Sequence, residues 1–340
     1  MLKRLLTLAT HKIYSLPIIV LMPHSSCNCR CVMCDIWKAN SNKKEISPET
    51  LKKHVATFKK LGVCEVVLSG GEALMHSNLW KLCALLRDNR IRITLLSTGL
   101  LLKRYAKDII DNIDHVIVSL DGSEQVHDKI RNIPQGFAKI SEGIQELKKL
   151  KPNFSITGRC VLQRYNFSDF INIVKAAKRI GLDQISFLAA DVSTTAFNRP
   201  QQWTDERINE VSLTAAETLE FEKIVQQSFI ELHTEYKTNF LAESQAKINN
   251  IVQYYKAVNK MSSYPGIVCN APWVSAVIES DGNVMPCFFH KPYGNIYENG
   301  FLEIINSKRA REFRRNLNMA KDEICKKCVC SLKLRANQMP

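Results

Sequence analysis

The chain has 340 residues, of which 45% are apolar, as in an ordinary globular protein with one large domain or a large domain and a smaller partner. Its 47 lysines and arginines outnumber its 33 acidic residues. The net charge of +14 indicates either a solvated basic face or attraction to an acidic partner or anionic surface, chiefly through the basic residues at 308–315. No aromatic-rich motif of a nucleic-acid binder accompanies them.

Residues 1–15 form a short lead before the first predicted element. Their apolar run ends at His11 and Lys12 and no small-residue cleavage site follows, so a signal peptide is not predicted. The next apolar run, 16–22, is shorter than the ~18 residues of a membrane span, and its β-branched residues after Pro17 predict a strand. Twelve cysteines without a secretory signal favour metal ligands over disulfides, and we therefore expect a cytoplasmic protein.

From residue 16 to 230, short β-branched runs alternate with amphipathic segments, which is typical of βα units around a parallel sheet. The first helix has clear ends, with Ser47 as N-cap, Pro48 in its first turn and Gly62 after its last. The other helices are predicted near 78–88, 101–112, 137–150, 167–180 and 214–230, and the strands near 16–22, 65–69, 91–97, 114–120, 155–162 and 183–189. The sequence therefore predicts an α/β fold whose loops after the strands gather on one face.

Four cysteines lie within eight residues in the loop after the first predicted strand. Cys27, Cys31 and Cys34 offer three thiolates that a tight loop can turn toward one centre. A [4Fe–4S] cluster needs four ligands, so three thiolates leave one iron open to a small molecule. Structural zinc is the alternative, although its cysteines usually form two separated pairs. Cys29 is either a spare thiol or a member of a different triplet.

Polar residues also follow the second, third and fourth strands. Gly70 and Gly71 let the backbone approach a ligand closely, and the carboxylate of Glu72 can accept hydrogen bonds from an ammonium group. Ser97, and Ser119 with Asp121, come at the next two strand ends, where a ribose or a carboxylate can be held. Ordinary turns would explain the same residues.

Arg159 lies within the apolar fifth strand and therefore needs an acidic partner, which either a ligand or a protein carboxylate could supply. After the sixth strand, the polar segment 191–195 is expected to line the same open end. Residues 231–262 read as a helical linker to a cysteine-rich module at 263–340, in which Asp281-Gly282-Asn283 predicts a hairpin turn.

The module contains five cysteines. Four of them form two pairs that could complete a second cluster, namely Cys269 with Cys287 and Cys325 with Cys328. Cys330 lies outside both pairs. Zinc remains the alternative at this set also.

The stretch from Cys27 to Cys34 resembles the cluster motif of the radical S-adenosylmethionine (SAM) superfamily, with Met33 where many members have an aromatic residue. This resemblance implies a partial (β/α)6 TIM-like barrel over residues 16–230. It also implies that the open iron binds SAM, that Gly70-Gly71-Glu72 binds the SAM amino group, and that Ser97, Ser119, Asp121 and Arg159 contact the cofactor.

The spacing of Cys269, Gly282 and Cys287 is similar to the start of a SPASM domain, and the fewer remaining cysteines are nearer to its shortened version, called twitch. This resemblance implies one auxiliary [4Fe–4S] cluster on Cys269, Cys287, Cys325 and Cys328. The two resemblances together cover the chain from about residue 16 to 332.

Together the two resemblances imply an oxidoreductase or lyase that reductively cleaves SAM to a 5′-deoxyadenosyl radical and removes hydrogen from an organic substrate. They also imply a low-potential electron donor such as flavodoxin or ferredoxin. Because few residues precede the first strand, we expect a small metabolite such as a sugar or cyclitol, or a lipid-linked molecule, rather than a peptide. An iron–sulfur electron carrier and a zinc-stabilised binding module are the alternatives from other classes.

Overall fold

The computed structural model describes residues 2–335. Its centre is a nine-stranded sheet in the order β6-β5-β4-β3-β2-β1-β7-β8-β9, in which β1 to β7 run parallel and the last two pairings are antiparallel. The strands are β1 (Ile18–His24), β2 (Glu65–Gly70), β3 (Arg92–Ser97), β4 (His115–Ser119), β5 (Ser155–Leu162), β6 (Gln184–Ala189), β7 (Ser275–Ile278), β8 (Asn283–Met285) and β9 (Gly294–Asn295).

Helices connect the parallel strands and cover the outside of the sheet. They are α1 (Leu2–Thr10), α2 (Pro48–Leu61), α3 (Leu79–Asp88), α4 (Ala106–Asn112), α5 (Glu124–Arg131), α6 (Gly136–Leu150), α7 (Phe170–Arg179), α8 (Asp205–Val211), α9 (Ala215–Glu231), α10 (His233–Lys237), α11 (Gln245–Val258), α12 (Ala271–Val274), α13 (Phe301–Ile305) and α14 (Lys308–Asn316). None of the helices in residues 2–335 is both long and apolar enough to cross a membrane.

The six predicted strands and the α/β fold class are confirmed, and the sheet is an open partial barrel because β6 and β9 form its two edges. Local signals account for this agreement. The Ser47 hydroxyl accepts a hydrogen bond from the Thr50 amide at 3.1 Å, and Gly62 ends α2 with a φ of 70°. The helix predicted over 101–112 begins later, at Ala106.

The cysteine-rich region does not form a separate layer. Its strand β7 pairs with β1, with Ile18 opposite Ser275, and so extends the parallel sheet on the side away from β6. Gly282, with a φ of 89°, turns the chain from β7 into β8, as the hairpin signal predicted. The extension brings the C-terminal cysteines to the same side of the molecule as the carboxyl ends of the parallel strands, where two of the cavities share residues from both regions.

Candidate active site

A cavity of about 230 Å³ lies at the carboxyl ends of the parallel strands. Phe288, Phe289, Val329 and Cys330 of the C-terminal region close one side of it. The residues predicted from the sequence that line the cavity are Cys27, Cys31, Cys34, Gly70, Gly71, Ser97, Ser119 and Arg159. One small chamber thus brings together the three spaced thiols and the polar ends of four strands.

The fourth thiol of the loop, Cys29, is 1% exposed and does not belong to the cavity lining. It lies between Cys27 and Cys31, and hydrogen bonds with these two thiols raise the pKa of Cys29 well above its usual range. The same contact with Cys29 lowers the pKa of Cys27 and lowers that of Cys31 to about 7. Contact with its two neighbours thus makes Cys29 the least acidic thiol of the loop, while Cys27 and Cys31 become more acidic.

The C-terminal end of helix α5 forms backbone hydrogen bonds with the cysteine loop. The backbone amides of Arg30 and Val32 donate to the carbonyls of Arg131 and Ile130, at 3.3 and 3.1 Å. These carbonyls belong to the last turn of α5, where carbonyl groups have no hydrogen-bond partner within the helix. The loop amides thus supply the missing hydrogen bonds, and the helix in turn fixes the backbone that carries the cysteines.

Arg131 is a site residue that the sequence reading missed. Its guanidinium lines the cavity and lies 3.5 Å from the Cys31 sulfur. On the other side it forms an ion pair with Asp121 at 2.5 Å, and both side chains are buried. The positive charge next to Cys31 also favours its thiolate, after the hydrogen bond with Cys29.

The structure places Asp121 outside the lining of this cavity, and its predicted contact with a cofactor stays a prediction. The carboxylate is 0% exposed, is absent from the cavity lining, accepts from the Val161 amide at 2.8 Å and forms the ion pair with Arg131. A buried carboxylate needs partners inside the protein, and here those partners are a strand amide and an arginine. Asp121 therefore positions Arg131 beside the cysteine loop.

The two glycines at the end of β2 are required mainly for close packing of the backbone within the protein. A Cβ atom on Gly71 would lie 2.0 Å from the carbonyl oxygen of Ser26, and one on Gly70 would lie 3.0 Å from that of His24. Gly70 also has a φ of 108°, which L side chains rarely adopt. The close approach therefore joins this turn to the start of the cysteine loop, and both glycines still face the cavity.

Glu72 lies beneath the cavity and is 0% exposed. Its carboxylate accepts from the Thr98 amide and hydroxyl, both at 2.6 Å, from the Ser97 hydroxyl at 3.0 Å and from the Leu74 amide at 3.0 Å. Burial raises its pKa, and the hydrogen bonds oppose that shift. Glu72 thus holds Ser97 and Thr98 in the cavity wall, and its predicted contact with an ammonium group stays a prediction.

Arg159 is half-buried and reaches the cavity from β5. Its Nε donates to the Ser186 hydroxyl at 3.2 Å, and within residues 2–335 it has no carboxylate partner at ion-pair distance. The guanidinium is therefore available to an anionic group in the cavity.

The segment after β6 packs over the cysteine loop, and Asp191 lines the cavity as expected for the start of 191–195. Arg199 pairs with Asp191 at 2.8 Å in a fully buried ion pair, and its guanidinium lies 3.8 Å from the ring centre of Trp203. The indole of Trp203 donates to Asp35, directly after Cys34, at 3.1 Å. These contacts fasten the segment to the loop, and nothing local in the sequence indicates them.

The C-terminal cysteines line a second, smaller cavity, which all five of them share: Cys269, Cys287, Cys325, Cys328 and Cys330. Burial raises the pKa of Cys287 to about 11 and that of Cys325 to about 12. Buried His290 has its Nε2 atom 3.3 Å from the Cys325 sulfur, within hydrogen-bond distance. Clustered thiols that are costly to ionise alone suit a metal centre, whose positive charge deprotonates its ligands.

The spacing of the sulfur atoms bears on the zinc alternative. Thiolates on one tetrahedral zinc ion lie about 3.8 Å apart, given the usual zinc–sulfur bond length. Within residues 2–335, His290, Asp322 and Cys325 form the one group of three ligand atoms that all lie within 4.8 Å of each other. No three thiols of either set meet that 4.8 Å limit in the part of the chain that the structure describes.

A wider groove of about 570 Å³ opens beside the first cavity. The two share Gly70, Gly71, Phe197, Phe288 and Phe289. Its remaining lining carries both charges, with lysines at 38, 44 and 291 and acidic residues at 279 and 281. The groove therefore provides a route from solvent to the thiols.

Two family models match the chain. The model of the radical SAM superfamily covers residues 21–187, and that of the SPASM iron–sulfur cluster-binding domain covers residues 269–329. Among curated proteins, a probable GTP 3′,8-cyclase of Methanococcus maripaludis is 30% identical over 45% of this chain and 54% of its own length. The sporulation killing factor maturation protein SkfB of Bacillus subtilis is 22% identical over 93% of this chain and 70% of its own. The match thus spans about half the length of the cyclase.

Solved structures share the fold. Streptococcus suis SuiB bound to its precursor peptide SuiA has a TM-score of 0.66 at 16% identity, covering 97% of this chain and 75% of SuiB. The enzyme anSMEcpe with bound AdoMet and a peptide has a TM-score of 0.66 at 20% identity, covering 92% of this chain and 87% of its own. The family models imply SAM with a [4Fe–4S] cluster, and an auxiliary iron–sulfur cluster in the C-terminal region. The chain belongs to the radical SAM superfamily of enzymes and carries a C-terminal SPASM domain.

Proposed function

We propose that this protein reductively cleaves SAM in the cysteine-lined cavity and abstracts a hydrogen atom from an organic substrate. The observation that carries the proposal is the meeting of Cys27, Cys31 and Cys34 with four strand ends in one chamber. Cys27, Cys31 and Cys34 would hold a cluster that, when bound and reduced, would supply the one electron that cleaves SAM to methionine and a 5′-deoxyadenosyl group able to take hydrogen from a substrate carbon. The protein's part is to bind, orient and exclude water.

Cys27, Cys31 and Cys34 are the proposed ligands of the SAM-binding cluster. Cys29 supports them from outside the cavity lining, where it is buried and within hydrogen-bond distance of the Cys27 and Cys31 thiols. Arg131 places a positive charge beside Cys31. This charge offsets part of the negative charge that three thiolates bring into a buried site.

SAM is proposed to lie against the polar wall of the same chamber. The backbone of Gly70 and Gly71 and the hydroxyls of Ser97 and Ser119 face that space. Arg159, which has no carboxylate partner in the part of the chain that the structure describes, suits an anionic group of the cofactor or substrate.

The substrate is proposed to enter through the wider groove, so that its reacting carbon reaches the chamber between Phe197 and Phe288. A small polar metabolite or the polar part of a lipid-linked molecule would suit the mixed charges there. Peptide modification is the second candidate, because the groove is open and a named relative, SkfB, is a maturation protein.

The test is anaerobic reconstitution followed by chromatographic assay of 5′-deoxyadenosine with dithionite as reductant. We expect Cys27→Ala, Cys31→Ala and Cys34→Ala to abolish cleavage, and the matched variant Cys29→Ala to retain most of it. An essential Cys29 beside a dispensable Cys27 would refute the ligand assignment. To separate the substrate classes, cell extract is added before and after protease treatment. Protease-sensitive stimulation of SAM cleavage would favour a peptide.

For the C-terminal region we propose an auxiliary cluster on Cys269, Cys287, Cys325 and Cys328. Replacing Cys325 and Cys328 together should remove about half of the iron, one of two four-iron clusters. SAM cleavage should persist while substrate turnover fails. Circular dichroism must accompany the assay, since loss of metal ligands also threatens folding. Full iron content in the folded double variant would contradict the assignment.

A further inference from the structure

Helix α1 presents its apolar side to solvent. Leu2, Leu5, Leu6 and Ala9 follow the helical repeat and form one stripe, and the three leucines are 70%, 47% and 40% exposed. Leu8 beside the stripe is 41% exposed. A surface helix of a globular protein normally turns such a stripe toward the core, so α1 has the opposite orientation.

The polar side of α1 is the side that packs on the protein. Thr7 is 1% exposed, and its hydroxyl accepts from the Tyr14 amide at 3.0 Å. Arg4 donates to the carbonyl of Arg335 at 3.3 Å. The helix is thus held in place through its polar residues, and within residues 2–335 its leucines remain exposed.

Basic side chains lie on α1 itself and on the helix attached next to its C-terminal end. Lys3 and Lys12 are exposed on or beside α1. Helix α14 is attached to the same region, because the buried Arg314 donates to the carbonyl of His11 at 2.8 Å. Its other basic residues are exposed and form no ion pair within the described part of the chain, namely Lys308, Arg309, Arg311 and Arg315.

We propose that α1 and α14 together form a docking surface for an anionic lipid bilayer. An interfacial helix places leucines among the lipid chains and basic groups at the anionic headgroups, and this surface offers both. A second copy of the chain fits less well, since pairing two such surfaces would bring like charges together. Nucleic acid would use the charges and leave the leucines in water.

Docking in this way would leave the active site accessible. Helix α1 precedes β1, whereas the cysteine loop follows it, and a strand of this length separates its two ends by about 20 Å. Bilayer binding through this surface does not require a lipid-linked substrate and is independent of the proposed chemistry.

The test is co-sedimentation of the full chain with phosphatidylcholine vesicles that contain roughly one third phosphatidylglycerol. We expect binding to weaken at high salt and to be at least about fivefold weaker with vesicles of phosphatidylcholine alone. Leu5→Gln with Leu6→Gln should reduce the partition coefficient by at least about tenfold. The matched control is Leu150→Gln, which changes an equally exposed leucine on α6 and should have no effect.

The charged part is tested separately. Arg309→Gln with Arg311→Gln should weaken binding by roughly fivefold per charge, whereas Lys52→Gln with Lys53→Gln on α2 should not. Circular dichroism and SAM cleavage should be unchanged in the α1 and α14 variants. Absence of vesicle binding, equal binding by the leucine variant, or a dimer in solution that the leucine changes dissolve would each overturn the proposal.

Discussion

Replacing Asp121 by asparagine tests the buried ion pair that holds Arg131 beside the cysteine loop. The substitution keeps the shape of the side chain and an oxygen that can accept from the Val161 amide. It removes the negative charge that pairs with Arg131 at 2.5 Å. The guanidinium would then be a buried cation whose remaining partner near this site is the sulfur of Cys31.

The size of the effect follows from burial. Asp121 is 0% exposed and Arg131 is 8% exposed, so water cannot replace the lost carboxylate. Removing one partner of a buried pair costs about 3–5 kcal/mol of unfolding free energy. The exposed pair of Glu124 with Arg179, with side chains 65% and 60% exposed, should contribute less than about 1 kcal/mol.

The assay is urea unfolding of anaerobically reconstituted protein, followed by circular dichroism and by iron release. Asp121→Asn should shift the midpoint far more than the control Glu124→Gln, which removes a charge from the same helix region. Arg131→Met added to Asp121→Asn should recover part of the loss, because it removes the unpaired cation. If Asp121→Asn lowered the unfolding free energy no more than Glu124→Gln, the buried ion pair would contribute no more to stability than the exposed one.

Three further outcomes are expected. Gly71→Ala should displace the loop at Ser26 and lower iron retention and SAM affinity, whereas Gly266→Ala, with open space around it, should change neither. Glu72→Gln should lower the unfolding free energy by about 1.5–3 kcal/mol, because an amide replaces a charged acceptor of four donors, and an unchanged urea midpoint would contradict this. Burial lowers the pKa of His127 to about 3, so as the pH falls below the usual histidine pKa the unfolded chain binds this proton before the folded chain does. Between pH 7 and 5 the unfolding free energy should therefore fall by about 2 kcal/mol because of this histidine. His127→Asn should remove that fall from the pH dependence of urea unfolding.

The strands and the first helix could be predicted because their signals are local. β-branched runs, the Ser47 cap and Gly62 need no distant partner to be recognised. The pairing of β1 with β7 could not be predicted in the same way. Ile18 and Ser275 are far apart in the chain, and β7 is four residues long, so neither carries a signal for the other.

The cysteine spacing also identified the cavity, while the residues that shape it were partly missed. Arg131 comes at the end of an ordinary amphipathic helix, and only the fold brings it to Cys31 and Asp121. Arg199 and Trp203 likewise gain their places through contacts between distant segments. Such residues have no spacing rule, because a guanidinium can reach a thiolate from any neighbouring element.

Glu72 and Asp121 show that a strand-end motif can locate a cavity without indicating which of its side chains line the wall. Both carboxylates are completely buried, and a buried charge must have its partners within the protein. Glu72 therefore accepts from Ser97 and Thr98, and Asp121 pairs with Arg131, while those three partners are the side chains that face the cavity. Glu72 and Asp121 thus hold in place the side chains that form the cavity wall. Substitutions of Glu72 or Asp121 should consequently reduce stability together with cofactor binding. Ser119 faces the cavity and has no such side-chain network among residues 2–335, so its substitution should affect binding alone.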